Sequence, residues 1–204
     1  MTAPARREAA QLLLSLEPPA WFLAHACAVA DVAGWLARRI EAQGHEVDVA
    51  AAEAAALLHD VDKLPVVGRP AGVRHGDGSA LWLEARGLPL LAPMVRDHPV
   101  TRFGSDEDAA RLAAAPLEAR IVAYADKRAG QHLESMDERF ASWRRRYPTV
   151  ANGAATRAAW TDDEVATVRD RAADLEQEIC AAAGSAPGDV RRLRWSRRAL
   201  EAAG

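Results

Sequence analysis

Apolar residues recur at steps of three and four along most of the chain, and no stretch stands out for alternation at a period of two. That pattern predicts helices and no sheet. A short helix is predicted over 4–16, stopped by Pro18-Pro19. The next runs from about Ala20 to Gln43, with Phe22, His25, Val29, Val32, Leu36 and Ile40 on one stripe and Gly44 closing it. Asp48 suits the N-cap of a helix from Val49 into His59-Asp60. A Gly/Pro-rich loop from Val61 to Gly78 follows, a length that suggests function.

Beyond the loop, a short helix is predicted over 79–86. An apolar segment, Leu88–Val95, then ends at Arg96-Asp97-His98-Pro99. A surface helix over 105–114 precedes a helix that starts at Pro116 and runs to about Gly130. Leu117, Ile121, Tyr124 and Ala125 make its apolar side, with Asp126 directly after them. Residues 133–146 read as a polar helix with a solvated end at Arg144-Arg145-Arg146. Thr161-Asp162-Asp163-Glu164 is a capping box that opens a helix lasting to Gly184. A last, amphipathic helix is predicted over 190–203, carrying Arg191, Arg192, Arg194, Arg197 and Arg198. The fold class is all-α: one helical bundle over 1–184, with 185–204 as a basic C-terminal helix packed on it or free.

Composition agrees. Of 204 residues half are apolar and 27% are charged, with only three Phe and two Tyr, an ordinary globular make-up that favours helices. A net charge of −3 argues against a nucleic-acid coat protein. The two cysteines, Cys27 and Cys180, are far apart in predicted helices, which fits a reducing, cytoplasmic setting. No apolar run long enough to cross a bilayer is expected, and the N-terminus does not read as a signal peptide.

The chemistry concentrates around Leu57-Leu58-His59-Asp60-Val61-Asp62-Lys63. A histidine and an aspartate at a helix end can aim a nitrogen and an oxygen at one point, as a divalent metal requires. His25 interrupts an apolar face, and Asp126 ends an apolar run where an unpaired carboxylate would be costly. These four could satisfy one another through a metal. His45 and His132 follow glycine-marked turns and read as surface residues.

The order His…His-Asp…Asp on three helices resembles the HD-domain superfamily of metal-dependent phosphohydrolases, over roughly Ala20 to Asp126. Leu57–Lys63 is similar to that family's "LLHDIGK" run, and Ala123-Tyr124-Ala125-Asp126-Lys127 resembles its "YADK" ending. His75 in Arg74-His75-Gly76 and His98 in Asp97-His98-Pro99 match the extra histidines of the subgroup that holds two metals. The resemblance implies a first metal on His25, His59, Asp60 and Asp126, and a second on His75 and His98, with Asp60 bridging. It implies one or two divalent transition ions, Fe or Mn foremost, with Ni, Co or Mg also compatible. A metal-activated hydroxide would attack phosphorus. Asp60 and Lys63 would be catalytic, and Lys63, Arg69, Arg74 and Arg102 would meet the substrate phosphate.

The implied function is hydrolysis of a phosphate ester or anhydride, foremost of a nucleotide. Neither a nucleic acid nor a membrane is expected as partner, and a homodimer remains open. The alternative is a regulatory or scaffold HD module with a structural metal site and a basic partner-binding tail. Asp62 departs from the pattern by standing where the family often has glycine. Either Lys63 pairs with it or the loop differs.

Overall fold

A computed structural model describes residues 3–130, 133–146 and 160–190. Ten α-helices are named here in chain order. They are α1 (Arg6–Leu14), α2 (Ala20–Ala42), α3 (Val49–Leu58), α4 (Asp77–Ala85) and α5 (Ala92–Arg96). The remaining five are α6 (Asp106–Ala113), α7 (Leu117–Arg128), α8 (Met136–Arg146), α9 (Asp162–Ala182) and α10 (Pro187–Val190). Two 3₁₀ turns, Val61–Lys63 and Val100–Gly104, complete the helical inventory of the described residues. The architecture is all-α; among those residues no strand forms, and Ala129 and Leu133 share an isolated bridge.

The core is the packing of α2, α3 and α7 on one another, with α1 against α3 and α5 against α7. Helix α3, Val-Ala-Ala-Ala-Glu-Ala-Ala-Ala-Leu-Leu, is apolar nearly all round, and eight of its residues, from Ala51 to Leu58, are buried. A helix without a polar face belongs in an interior, and its alanines let neighbouring helices approach closely. Asp48 caps it, with Oδ1 accepting from Ala51 N at 2.9 Å. The predicted capping box at α9 forms: Thr161 N donates to Glu164 Oε2 at 2.7 Å, and Glu164 N to Thr161 Oγ1 at 3.2 Å.

Helix α2 corrects one expectation. By length and composition it could cross a membrane, although no such run was predicted. Its apolar residues are those of a core helix: Phe22, Val29, Val32, Leu36 and Ile40 are fully buried. Helix α8 is a second correction. It begins at Met136, and Met136, Phe140 and Trp143 are buried on one side. The spacing i, i+4, i+7 places them on a single face, which the many charges around them had obscured. Arg144 and Arg145 are exposed, as expected of a solvated helix end.

Residues 185–190 pack on the bundle. Val190 is buried, and the carbonyl of Pro187 accepts from Arg128 Nη2 at 3.0 Å. Arg128 is itself buried, donating also to Glu176 and to the Tyr124 hydroxyl, at 2.8 and 2.6 Å, so that it ties α7, α9 and α10 together. The arginine-rich stretch 191–204 and His132 lie outside the described residues.

Glu53 is the one charged residue inside α3. It accepts from Arg6 at 3.0 Å and from Arg38 at 2.8 Å, and lies against Gly34 of α2. A Cβ at position 34 would stand 2.1 Å from Glu53 Oε1. Alanine normally favours a helix over glycine by about 1 kcal/mol. Gly34→Ala is nevertheless expected to lower stability by about 1–3 kcal/mol through overpacking, read as a lower urea midpoint.

Candidate metal centre

Four histidines converge on Asp60, two of them because of where helices end. His59 is the first residue past α3, and its Nδ1 donates back to the Ala56 carbonyl at 2.6 Å. His98 lies just past α5, and its Nδ1 donates to the Val95 carbonyl at 2.5 Å. Both use carbonyls that a helix end leaves without an intrahelical partner. His25, on the buried face of α2, donates from Nδ1 to Gly130 O at 3.0 Å. A carbonyl only accepts, so each of these rings carries its proton on Nδ1 and presents Nε2 to the centre.

Asp60 meets the histidines with one oxygen on each side. Its Oδ2 is 3.4 Å from His25 Nε2 and 3.6 Å from His59 Nε2. Its Oδ1 is 3.1 Å from both His75 Nε2 and His98 Nε2. Asp126, at the buried end of α7, brings Oδ1 to 3.3 Å from His25 Nε2 and 3.7 Å from His59 Nε2. Two groups of ligand atoms result, His25-His59-Asp60 and Asp60-His75-His98, each within 4.8 Å throughout. Imidazole nitrogens whose second nitrogen is already engaged, together with buried carboxylates, fit a divalent ion. The six residues expected at a metal site therefore do come together.

The electrostatics are those of buried opposite charges. Burial alone would raise the pKa of Asp60 and Asp126. The surrounding histidines, joined at Asp60 by Lys63, outweigh it and hold both carboxyls well below the usual range. Burial disfavours charge on His25, but Asp126 and Asp60 prevail and raise it to about 9. His98 goes the other way, to about 4, because burial dominates and His59 and His75 repel a further charge.

Lys63 follows Asp60 by three residues, one turn of a 3₁₀ helix, which puts both on one side. Its Nζ donates to Asp60 Oδ2 at 2.6 Å while 42% of the side chain stays exposed. Burial opposes the ammonium charge, and the carboxylates of Asp60, Asp126 and Asp62 override it and raise the pKa. Lys63 thus pairs with Asp60. Asp62, the departure from the family pattern, turns away toward His75.

The three arginines expected to clamp phosphate fare differently. Arg69 is partly exposed, with Nη1 3.7 Å from Asp62 Oδ2. Arg74 and Arg102 are committed elsewhere. Arg74 holds Asp108 through two hydrogen bonds, at 2.8 and 3.2 Å. Arg102 is buried, donates to the His75 carbonyl at 2.9 Å, and pairs with Asp77 at 2.8 Å and Asp108 at 3.6 Å. Arg111 adds two bonds to Asp97, at 2.8 and 2.6 Å, and one to Asp108. This arginine–aspartate lattice braces the segments that carry His75 and His98. Clamping phosphate with Arg102 would cost the lattice its buried cation.

Two further residues belong to the surroundings. Lys127, fully buried after Asp126, donates to the His98 carbonyl at 2.7 Å and to Ala123 O at 3.1 Å, and lies 4.0 Å from the Phe103 ring centroid. Burial lowers its pKa to about 8. Arg139 of α8 comes within 3.9 Å of Asp126 Oδ1 and packs on Trp143. Its place between Phe140 and Met136 on a half-buried helix was the available signal in sequence, hidden by the polar reading of that helix.

A family model described as "HD domain" matches residues 22–130, over half of the chain. No curated protein and no solved structure matches it.

Arg102→Ala removes a buried guanidinium from the His75 carbonyl, Asp77 and Asp108, although Arg74 still pairs with both aspartates. The variant is expected to lose about 1–3 kcal/mol of stability, seen as a fall in Tm. A variant as stable as the parent would refute the bracing role. A second expectation concerns pH. With its folded pKa raised above the ordinary 6.5 to about 9, His25⁺ stabilises the metal-free protein below pH 6.5, and this is lost as pH rises through 9. An ion bound at Nε2 must displace that proton. Binding should therefore release a proton below about pH 9, with apparent affinity rising toward that pH and flattening above it. Calorimetric titration in buffers of different ionisation enthalpy measures this.

Proposed function

The chain belongs to the HD-domain family, a superfamily of metal-dependent phosphohydrolases, and from that premise we propose that it hydrolyses a phosphate ester or anhydride, foremost of a nucleotide, at a two-ion site. The observation that carries this reading is the division of Asp60: Oδ2 faces His25 and His59, and Oδ1 faces His75 and His98. His25, His59, Asp60 and Asp126 would hold one ion; Asp60, His75 and His98 would hold the other. Divalent ions in such a pair acidify water and offset charge on phosphoryl oxygens. Fe and Mn suit this N/O set, and Ni, Co and Mg are compatible with it.

The chain's own residues supply the rest. Lys63 pairs with Asp60 and also reaches solvent, which supports the reading that its ammonium meets a phosphoryl oxygen of the substrate. Arg139 offers a second positive group on the Asp126 side. Asp60 stays ionised through the working pH range, because the charges around it outweigh burial. These cations suit a phosphate group in general; the nucleotide comes from the family resemblance.

The test is metal analysis of the purified chain, followed by hydrolysis assays on a panel of nucleoside mono-, di- and triphosphates, dinucleotides and non-nucleotide phosphate esters. Parent protein should carry metal and release phosphate in a metal-stimulated manner. Asp60→Ala should lose both. Lys63→Ala should keep its metal while kcat/KM falls by about 10²-fold or more, the scale of one lost electrostatic contact to the transition state. Metal-loaded parent protein inert across the panel would sink the enzyme reading and favour a regulatory module with a structural metal site.

A further inference from the structure

Three of the four histidines at the centre donate Nδ1–H to a backbone carbonyl, and His75 does not. It sits in the stretch before α4, and its Nδ1 donates to Asp62 Oδ1 at 2.8 Å. The other oxygen of Asp62 accepts from Gly76 N at 3.1 Å. The backbone N–H of Asp62 donates to Ser79 Oγ at 3.3 Å. One side chain thus fixes both the ring of His75 and the peptide that follows it. The Asp62 side chain is completely buried, a place where a carboxylate persists only with partners.

The surrounding glycines are shaped to it. A Cβ on Gly78 would stand 2.7 Å from Asp62 Oδ2 and 2.8 Å from Asp62 Cβ, so any larger residue would displace the carboxylate. Gly76 has φ +89°, and a Cβ there would stand 2.3 Å from the Arg96 carbonyl. It alone of residue types takes that backbone while delivering its N–H to Asp62. The sequence Asp62…His75-Gly76-Asp77-Gly78 is therefore one device spread over two chain segments.

We infer that Asp62 is a positioning residue that orients His75 toward Asp60 and thereby sets the affinity of the second ion. An imidazole whose far nitrogen donates to a carboxylate is held in one tautomer and is a more basic ligand than one bonded to a carbonyl. His75 needs that hold most, because its side chain is 22% exposed while that of His98 is 1% exposed. The first ion's residues, His25, His59 and Asp126, get their orientation from α2, α3 and α7 and do not depend on Asp62.

This rests on the two-ion reading, and the experiment separates the two. Full-length protein, stripped with chelator, is titrated with Mn²⁺ alone, and free ion is followed by electron paramagnetic resonance. Parent protein is expected to take two ions. Asp62→Ala should bind the first as the parent does and the second roughly 10- to 100-fold more weakly. Asp62→Asn, which keeps the shape and an acceptor oxygen but loses the charge, should fall between them, and it serves if the alanine variant fails to fold. In a His75→Ala background the further change Asp62→Ala should leave second-ion affinity unmoved, since its action runs through His75. Unchanged second-ion affinity in both Asp62 variants would overturn the inference, as would equal weakening of both ions or an additive loss in the double variant. A parent protein that takes a single ion would overturn the two-ion reading and this inference with it.

Discussion

Everything at the centre depends on one buried carboxylate having two oxygens. Asp60 is the residue after His59 at the end of α3, nearly inaccessible to water, and could not remain ionised there alone. The chain answers by surrounding it with imidazole nitrogens and one ammonium. Asp126 closes the far side against His25 and His59. Opposite charges at these distances keep both acids ionised despite burial. The groups that keep these carboxylates ionised in the metal-free interior are the ones through which the proposed ions would be held.

Helix ends make this geometry possible. His59 and His98 each follow a helix whose last carbonyls lack intrahelical partners, and each ring takes one of them. That single hydrogen bond sets both the ring orientation and the tautomer. His25 achieves the same from the middle of α2 by borrowing the carbonyl of Gly130, just beyond α7. His75 has a side chain, Asp62, in the equivalent role. The four rings are thus oriented by three different local means and agree only because α2, α3 and α7 pack as one core.

Under the loops that carry His75 and His98 lies a lattice of arginines and aspartates: Arg74, Arg102 and Arg111 with Asp77, Asp97 and Asp108. Guanidinium forks suit this task, since each can bind two carboxylates or a carboxylate and a carbonyl with fixed geometry. A long glycine-rich connection has little apolar surface to bury, so charge pairing fixes it in place of a core. On the other side Lys127 does the equivalent with one buried ammonium, holding the carbonyl of His98 itself.

The sequence by itself determined the helical class, most helix starts, and four residues of the centre, His25, His59, Asp60 and Asp126. These follow from local rules: the 3.6-residue period, caps at Asp48 and Thr161, and histidines and acids at positions where an unpaired polar group would be costly. His75 and His98 were legible only through the resemblance to the HD-domain family. What the sequence could not decide was which partner each charge would take. Arg102 and Arg69 look alike along the chain, yet one is locked beneath His75 and the other stands half in solvent. Asp62 was open between Lys63 and the loop, and only the approach of α4 brought His75, Gly76 and Gly78 around it. The buried face of α8 and the reach of Arg139 toward Asp126 were likewise hidden by charge-rich sequence. Periodicity and capping are properties of neighbours in sequence. Ion pairing over tens of residues depends on how helices pack, and that is decided only in three dimensions.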